Sequence, residues 1–197
     1  MLGPKGCHHI QLDDSGVNVN PLFPHRGLIP RIAEALFARV GQLEDVLEVS
    51  IACSFLEIYK EQIRDLLNPK QVGLRIRETV SGECFVQSLT EEFVSDTNEL
   101  LTVLRHGEKH RSVAATQMNE VSSRSHSVLI IVVTQKCADG SVKTGKLNLA
   151  DLAGSERINS TGATGETLVE AMMINKSLSA LGNCIAALTD TKRKHVP

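Results

Sequence analysis

Residues 119–128, NEVSSRSHSV, gather serines, an arginine and a histidine directly before the apolar run at 128–133. Loops that serve only turn geometry use Gly, Pro, Asn and Asp, whereas hydroxyls and a guanidinium supply hydrogen-bond donors and positive charge. Such groups bind anions, and phosphates above all. The stretch therefore predicts a loop that contacts a phosphate.

A second candidate for phosphate chemistry lies at the end of another apolar strand, KLNLADLAGSER. Asp151 and Gly154 form a DxxG pattern, in which the carboxylate holds Mg²⁺ through water and the glycine lets a backbone N–H approach the terminal phosphate. The pattern alone is weak, because a turn that simply ends a strand would match it too. The two loops together are more specific, since Arg124 in one and Glu156 in the other would form an ion pair when both close.

The phosphate loop GxxxxGK[ST], with which nucleoside triphosphatases hold their phosphates, does not occur in this sequence. The nearest match is GSVKTGKL, residues 140–147, which has Leu147 in place of the hydroxyl residue and precedes a strand instead of following one. We therefore expect a β-hairpin turn there.

The composition fits one globular domain, with 197 residues, 42% apolar residues and a formal net charge of −2. The absence of a basic excess argues against a nucleic-acid binder. Five cysteines without a CxxC pair favour a reducing, intracellular compartment, and the cluster Cys7-His8-His9 is expected to be a polar loop and not a metal site. The sequence shows no signal peptide and no apolar run long enough to span a membrane, so a cytosolic location is expected.

The elements that must position the two loops alternate between strand-like and helix-like patterns. The order favours an α/β fold in which helices cover the faces of a sheet. The predicted elements are a loop at 3–27, a helix at 31–40 opened by 28–30, a strand at 47–59, a helical turn at 61–67, strands at 73–78 and 83–94, a helix at 97–115 capped by Ser95 and Asp96, a strand at 128–135, a turn at 138–140, a strand at 146–152 and a helix at 167–189.

Apolar residues at helical spacing predict which side of each helix is buried. The predicted buried positions are Ile32, Ala35, Leu36 and Val40 in the first helix, Leu100, Leu101, Leu104 and Val113 in the second, and Leu178, Leu181 and Ile185 in the third.

The segments NEVSSRSH, DLAGSER and INKSLSALGNCIAAL, in this order and after RGLIPRI and SFLEIYKEQIRDLLNP, resemble the kinesin motor domain over nearly the whole chain. The sequences of these segments are most similar to those of conventional kinesins. The resemblance implies a central, mostly β sheet flanked by helices on both faces, as in P-loop NTPases. It also implies a microtubule-stimulated ATPase with ATP and Mg²⁺ as cofactors, microtubules (tubulin) as partner, and a place in the cytoplasm on the cytoskeleton. A dimer held by a coiled coil outside this segment is compatible with it.

The resemblance also assigns roles to single residues. Ser122 and Ser123 match the serines that contact the terminal phosphate and Mg²⁺, and Asn119 matches the asparagine beside the hydrolytic water. The set matched to the catalytic machinery is Asn119, Ser122, Ser123, Arg124, Asp151, Gly154 and Glu156, of which Ser122, Ser123 and Gly154 would contact the nucleotide, and Ser123 and Asp151 would hold Mg²⁺, the latter through water.

Arg157, Asn175 and Lys176 match positions that face the microtubule. Ser160 and Met172 stand where conventional kinesins usually carry lysines, which predicts a weaker electrostatic attraction to acidic tubulin. The short basic run at 192–195 is expected to be a solvated segment.

The chain begins Met1-Leu2-Gly3, similar to the family's segment just after the phosphate loop, and ends Val196-Pro197, before its last microtubule-binding loop, strand, helix and neck linker. We therefore expect 1–197 to be a partial motor domain that on its own is poorly soluble and nearly without ATPase activity. Two alternatives differ in class. A small GTPase is disfavoured because Asn175-Lys176 is not followed by the Asp of NKxD, whereas a non-catalytic, kinesin-like module that binds tubulin or a partner stays open.

Overall fold

The structure is a computed structural model that describes residues 27–116, 124–154, 166–191 and 195–196. Three helices and eight strands are found in these ranges. They are α1 (Leu28–Val40), β1 (Val46–Tyr59), β2 (Gln62–Asp65), β3 (Val72–Leu74), β4 (Ile76–Glu78), β5 (Cys84–Val86), β6 (Glu92–Phe93), α2 (Thr97–Thr116), β7 (His126–Cys137), β8 (Val142–Asp151) and α3 (Glu166–Thr189).

Six strands form one sheet in the order β3-β2-β1-β7-β8, with β6 also paired to β1. All strand pairs of this sheet within the described residues are antiparallel. The long β7–β8 hairpin turns at Gly140, whose φ of +82° suits a residue without Cβ. Its register runs from Lys136 opposite Val142 to Ser127 opposite Asp151, which brings the start of β7 and the end of β8 to the same edge.

Helices α1 and α2 cover one face of the sheet. Gly107 of α2 lies directly over the Phe55 ring of β1, because a Cβ at Gly107 would be 2.2 Å from Phe55 Cδ1. The main core formed here joins α1, β1, β7 and α2. Its buried members are Ile29, Ala33, Ile51, Cys53, Phe55, Leu66, Leu67, Val94, Leu100, Leu101, Leu104, Leu129, Ile131 and Leu149.

Helix α3 meets the sheet on the opposite face. Ile58 lies three residues from Phe55 along β1, so alternation places its side chain on the other face. Ile58 and its partner across the strands, His126, line a small cavity together with Met173 and Ser177 of α3. The mixed α/β architecture with helices on both faces is therefore confirmed for the described residues.

The start of α2 confirms Asp96 as a capping residue, whereas Ser95 only donates hydrogen bonds to Glu99. Asp96 Oδ1 accepts the Glu99 N–H at 2.8 Å, while the Glu99 carboxylate accepts the Ser95 N–H at 2.7 Å and the Ser95 hydroxyl at 2.8 Å. The bond to Asp96 satisfies a donor that the helix N-terminus leaves without an internal partner, and the bonds from Ser95 tie the preceding residue to the first turn.

The helical turn predicted at 61–67 is wrong. Residues 62–65 form strand β2, which folds back on β1 through Lys60 and Glu61. Both turn residues have positive φ values of 49° and 61°, as a tight two-residue hairpin requires, although neither is the Asn or Gly usual there. The alternation of β2, with Ile63 and Asp65 buried, reflects period two and not a helical repeat.

Two predicted faces also need correction. In α1, Ile32, Leu36 and Val40 pack against the core as predicted, whereas Ala35 is exposed. The fully buried residues of this helix are Ile29, Pro30 and Ala33. In α3, Leu181 and Ile185 are 40% and 53% exposed, so the predicted apolar face is not a buried core among the described residues.

The remaining element predictions hold with shifted ends, except that the segments at 73–78 and 83–94 divide into four short strands. The hairpin turn predicted in place of a phosphate loop is confirmed, because Lys146 and Leu147 lie within β8. The predicted loop at 3–27, apart from Gly27, and the Val113 side chain lie outside what the structure describes. In the described part of the chain, no helix is long and apolar enough to cross a membrane.

Candidate functional site

The antiparallel β7–β8 hairpin determines where the two predicted phosphate loops emerge. Arg124 lies two residues before β7, and Asp151 is the last residue of β8. Ser127 and Asp151 are paired across these strands, so the two loops start from neighbouring backbone positions about 5 Å apart. Two segments 24 residues or more apart in sequence thereby share one edge of the sheet.

Five of the predicted site residues are described, namely Arg124, Asp151, Gly154, Asn175 and Lys176. The other five lie outside the described residues, and their roles stay predictions. These are Asn119, Ser122, Ser123, Glu156 and Arg157.

Arg111 of α2 joins the two loops at this edge. Its Nη1 lies 3.5 Å from Asp151 Oδ2, and its Nη2 donates to the Ser125 carbonyl at 3.2 Å. The Arg111 side chain is 6% exposed, whereas the Asp151 side chain is 48% exposed. The guanidinium therefore contacts the serine-rich segment and the DxxG segment simultaneously while the Asp151 carboxylate keeps access to solvent.

Glu57 of β1 is a second carboxylate that compensates the positive charge of Arg111. Glu57 is fully buried, and its oxygens lie 3.9 Å from Arg111 Nε and from Arg64 Nη1. Within the described residues neither oxygen has a hydrogen-bond partner. Burying a carboxylate that is balanced only by nearby charge costs free energy of folding. Removal of Arg111 would therefore leave the Glu57 charge uncompensated and strongly destabilise the fold.

Glu108 contributes a third carboxylate, 3.9 Å from Arg111 Nη1. Burial raises the pKa of Glu108, although the positive charge of Arg111 opposes the shift. Asp151 and Glu57 add smaller repulsive contributions in the same direction as burial. The guanidinium of Arg111 thus lies near three carboxylates at this edge of the sheet.

His126, the first residue of β7, connects the site to α3. Its Nδ1 accepts the Ala153 N–H at 3.0 Å, and its Nε2 lies 2.8 Å from Ser177 Oγ. Ala153 is the residue directly before Gly154, so the DxxG segment is fixed by a backbone hydrogen bond to the imidazole.

Two of the three residues predicted to face the microtubule, Asn175 and Lys176, lie on α3 next to this contact, and Arg157 lies outside the described residues. Lys176 is exposed and Asn175 is half-buried. Met172, where the resemblance to the family predicts that a lysine is missing, is 57% exposed. The helix therefore offers one lysine to a partner at this point.

The chemistry of the donor set is compatible with Mg²⁺ and a nucleotide. Mg²⁺ prefers oxygen ligands and keeps several of its waters, so a half-exposed carboxylate such as Asp151 suits contact through water. Gly154 has no Cβ to keep a phosphate from its backbone. Among the described residues no group of three His, Cys, Asp or Glu could hold a metal directly.

The sequence interpretation missed Arg111, Glu57 and Ser177, and left His126 without a role. A signal existed for two of them. The positions 100, 104 and 107 of α2 continue at helical spacing to Arg111, a cation on a buried face. Glu57 likewise interrupts an apolar strand, which marks a buried charge in need of a partner.

Comparison with protein families and with proteins of known name gives a consistent result. The kinesin motor domain model matches residues 20–197. Kinesin-related protein 5 of Dictyostelium discoideum is 53% identical over 173 residues, which is 87% of this chain and 18% of that protein. The kinesin heavy chain of Gibberella moniliformis is 50% identical over 173 residues, or 87% of this chain and 19% of that protein. The chain thus spans about a fifth of the length of these relatives.

Two solved structures share the fold. One is a fast kinesin, with a TM-score of 0.79 and 44% identity over 99% of this chain and 55% of that chain. The other is the C-terminal motor and motor homology domain of Kar3Vik1 fused to a synthetic heterodimeric coiled coil, with a TM-score of 0.76 and 35% identity over 89% of this chain and 46% of that chain. Sequence and structure agree, and the chain belongs to the kinesin motor domain family.

Proposed function

We propose that this chain is the part of a microtubule motor that senses the terminal phosphate of ATP and passes this signal to the microtubule-binding helix. The observation that carries the proposal is the shared edge of β7 and β8, where Arg111 contacts both Ser125 and Asp151. Two loops that begin side by side can both contact one phosphate, and phosphoryl transfer depends mainly on such positioning.

The roles follow the family's pattern and the chemistry of each group. Ser122 and Ser123 bind the terminal phosphate, and Ser123 together with Asp151, through water, holds Mg²⁺. Asn119 positions the attacking water, and Gly154 senses the phosphate through its backbone N–H. When bound, Mg²⁺ supplies charge neutralisation of the phosphates.

Arg124 and Glu156 form the ion pair that closes the two loops. Arg124 is half-buried beside the start of β7, in contact with the cavity against α3. The ion pair would exclude water from the phosphate and join the serine-rich loop to the segment that leads into α3.

Contact with the microtubule is assigned to Arg157, Asn175 and Lys176. Lys176 is exposed on α3, so it is available to an acidic surface. We place the protein in the cytoplasm on microtubules. In the full-length protein, a coiled coil outside this segment would supply dimerisation.

The test is phosphate release from ATP by the full-length protein, with and without polymerised tubulin. We expect microtubules to stimulate hydrolysis. Asp151→Asn should lower the stimulated rate at least about 100-fold, which is typical when one preorganised electrostatic group is lost from a site. Asp139→Asn is the matched control, because Asp139 lies in the exposed turn at the far end of the same hairpin. The control should keep the normal rate.

A second measurement separates the motor from a binding module. Co-sedimentation with microtubules at increasing salt should show weaker binding of Lys176→Ala than of Lys109→Ala, an exposed lysine on α2. Microtubule binding without any ATP hydrolysis by the full-length protein would replace the proposal by the non-catalytic alternative.

A further inference from the structure

His126 connects three separate elements through its two ring nitrogens. It begins β7, accepts a hydrogen bond from Ala153 after β8, and contacts Ser177 in the middle of α3. The side chain is buried, with 9% of the residue exposed. A buried imidazole with both nitrogens engaged is fixed in orientation, because any ring flip would cost both hydrogen bonds.

The direction of these hydrogen bonds follows from the donor at one end. The Ala153 amide can only donate, so His126 Nδ1 carries no proton and accepts at 3.0 Å. The proton of the neutral ring is therefore on Nε2, which donates to Ser177 Oγ at 2.8 Å. The Ser177 hydroxyl in turn donates to the Ile174 carbonyl at 2.8 Å, so every proton in the chain of bonds has an acceptor.

The electrostatic surroundings favour the neutral form of this ring. Burial lowers the pKa of His126, and the positive charge of Arg111 on α2 lowers it further, while Glu61 in the β1–β2 turn opposes the shift. Arg124 lines the same cavity and adds a second cation nearby. A proton on Nδ1 would face the Ala153 N–H donor to donor.

The contact between His126 and α3 is close. The cavity between them is lined by Ile58, Tyr59, Arg124, Met173 and Ile174 and has a volume of about 20 Å³. That volume would hold roughly one water molecule, so the helix and the strand lie close together here. A displacement of about 1 Å in either element would stretch a 2.8 Å hydrogen bond beyond the useful range.

We propose that His126 is a positioning residue that couples the phosphate-sensing segment after β8 to the microtubule-binding helix α3. Ala153 adjoins Gly154, and Ser177 adjoins Lys176, so the hydrogen-bonded chain joins the residues next to the two assigned sites. A shift of the Ala153 amide when phosphate binds or leaves reaches α3 through the ring, and tubulin on α3 acts back on the amide by the same route. The inference deepens the proposed function and rests on it.

The decisive variant is Ser177→Ala in the full-length protein, with Ser179→Ala as the matched control. Both changes replace a serine of the same helix by the better helix former, but Ser179 is exposed and lies two residues away. The first measurement is the ratio of ATP hydrolysis with microtubules to hydrolysis without them. We expect Ser177→Ala to lower this ratio about five-fold, the lower end of typical coupling between sites, and Ser179→Ala to leave it unchanged.

The second measurement does not depend on catalysis. Amide hydrogen exchange of the segment 150–154, followed by mass spectrometry, should be several-fold faster in Ser177→Ala, because the ring that accepts the Ala153 N–H loses its anchor. Ser179→Ala should exchange like the unaltered protein. Unchanged exchange in Ser177→Ala would overturn the coupling, whatever the ATPase activity.

A double variant tests whether the two residues act as one unit. His126→Asn keeps an acceptor near the place of Nδ1 but does not reach Ser177. If both residues act through their shared hydrogen bond, His126→Asn with Ser177→Ala should lower the ratio no further than the stronger single change. Additive losses would refute coupling through this hydrogen bond.

Absence of microtubule stimulation in the unaltered protein would refute the proposed motor function. The hydrogen-exchange result would still decide whether His126 couples the two segments.

Discussion

Replacement of Gly107 by alanine should destabilise the protein, although alanine is the better helix former. Gly107 packs against the Phe55 ring, and a methyl carbon there would lie 2.2 Å from Cδ1 and 2.9 Å from Cε1. Ordinary carbon–carbon contact needs about 3.5 Å, so α2 would have to move away from β1 by roughly 1.3 Å. Phe55 is 2% exposed and enclosed by the core, so its ring has no free space to enter.

The size of the effect follows from two opposing contributions. Overpacking of a dense core costs up to about 3 kcal/mol, and the exchange of glycine for alanine inside a helix returns about 1 kcal/mol. We expect a net loss of about 2 kcal/mol in the free energy of unfolding. For a cooperative unit of about 150–250 residues, that lowers the melting temperature by about 4–8 °C.

The assay is denaturant unfolding of the variant and of Gly182→Ala. Gly182 is an exposed glycine inside α3 with nothing within 4 Å of an added Cβ, so the same exchange should stabilise it by about 0.5–1 kcal/mol. The two variants should therefore change the free energy of unfolding in opposite directions.

A double-variant cycle identifies the cause. Phe55→Val removes the ring carbons in question, and in that background Gly107→Ala should no longer destabilise. Equal stability of Gly107→Ala and the unaltered protein would refute the close packing of α2 on β1. Because Arg111 follows Gly107 by one helical turn, the same displacement should also weaken its contact with Asp151.

Three further predictions concern single side chains. Burial raises the pKa of the Cys53 thiol to about 11. At pH 8, therefore, roughly one molecule in a thousand carries the reactive thiolate at this position. Mass spectrometry after brief alkylation of the native protein should find exposed Cys84 modified and Cys53 unmodified. Asp96→Ala removes the acceptor of the Glu99 N–H at the start of α2 and should cost about 1 kcal/mol in denaturant unfolding. The folded-state pKa of His126 lies below its ordinary value of 6.5, so the unfolded chain takes up a proton first as the pH falls below about 6.5. Stability should therefore decrease there, and His126→Asn should remove this part of the pH dependence in thermal melts.

The long elements could be predicted from sequence because their patterns are local. The helix at 97–115 is confirmed as Thr97–Thr116, with its cap at Asp96, and the strand at 47–59 is confirmed as Val46–Tyr59. The β2 hairpin was missed because Lys60 and Glu61 are not typical turn residues, and only the pairing of β2 with β1 holds them at positive φ.

The exposed residues of α3 illustrate a different limit. Leu181 and Ile185 recur at a spacing that normally marks a buried face, yet they are exposed here. Periodicity reports which residues of a helix share a side, whereas burial depends on what packs against that side. For the candidate site, the sequence predicted Asp151 and Gly154 from their types and spacing but could not show what contacts them.

By itself, the sequence determined the family, the order of the elements and the residue types available for phosphate chemistry, because these are properties of short segments. Only the tertiary structure decided that Arg111 contacts the edges of both loops and that His126 joins Ala153 to Ser177. The reason is that hydrogen bonds and ion pairs act over a few ångströms in space, and residues 14 to 51 positions apart reach that distance only when strands pair and helices pack.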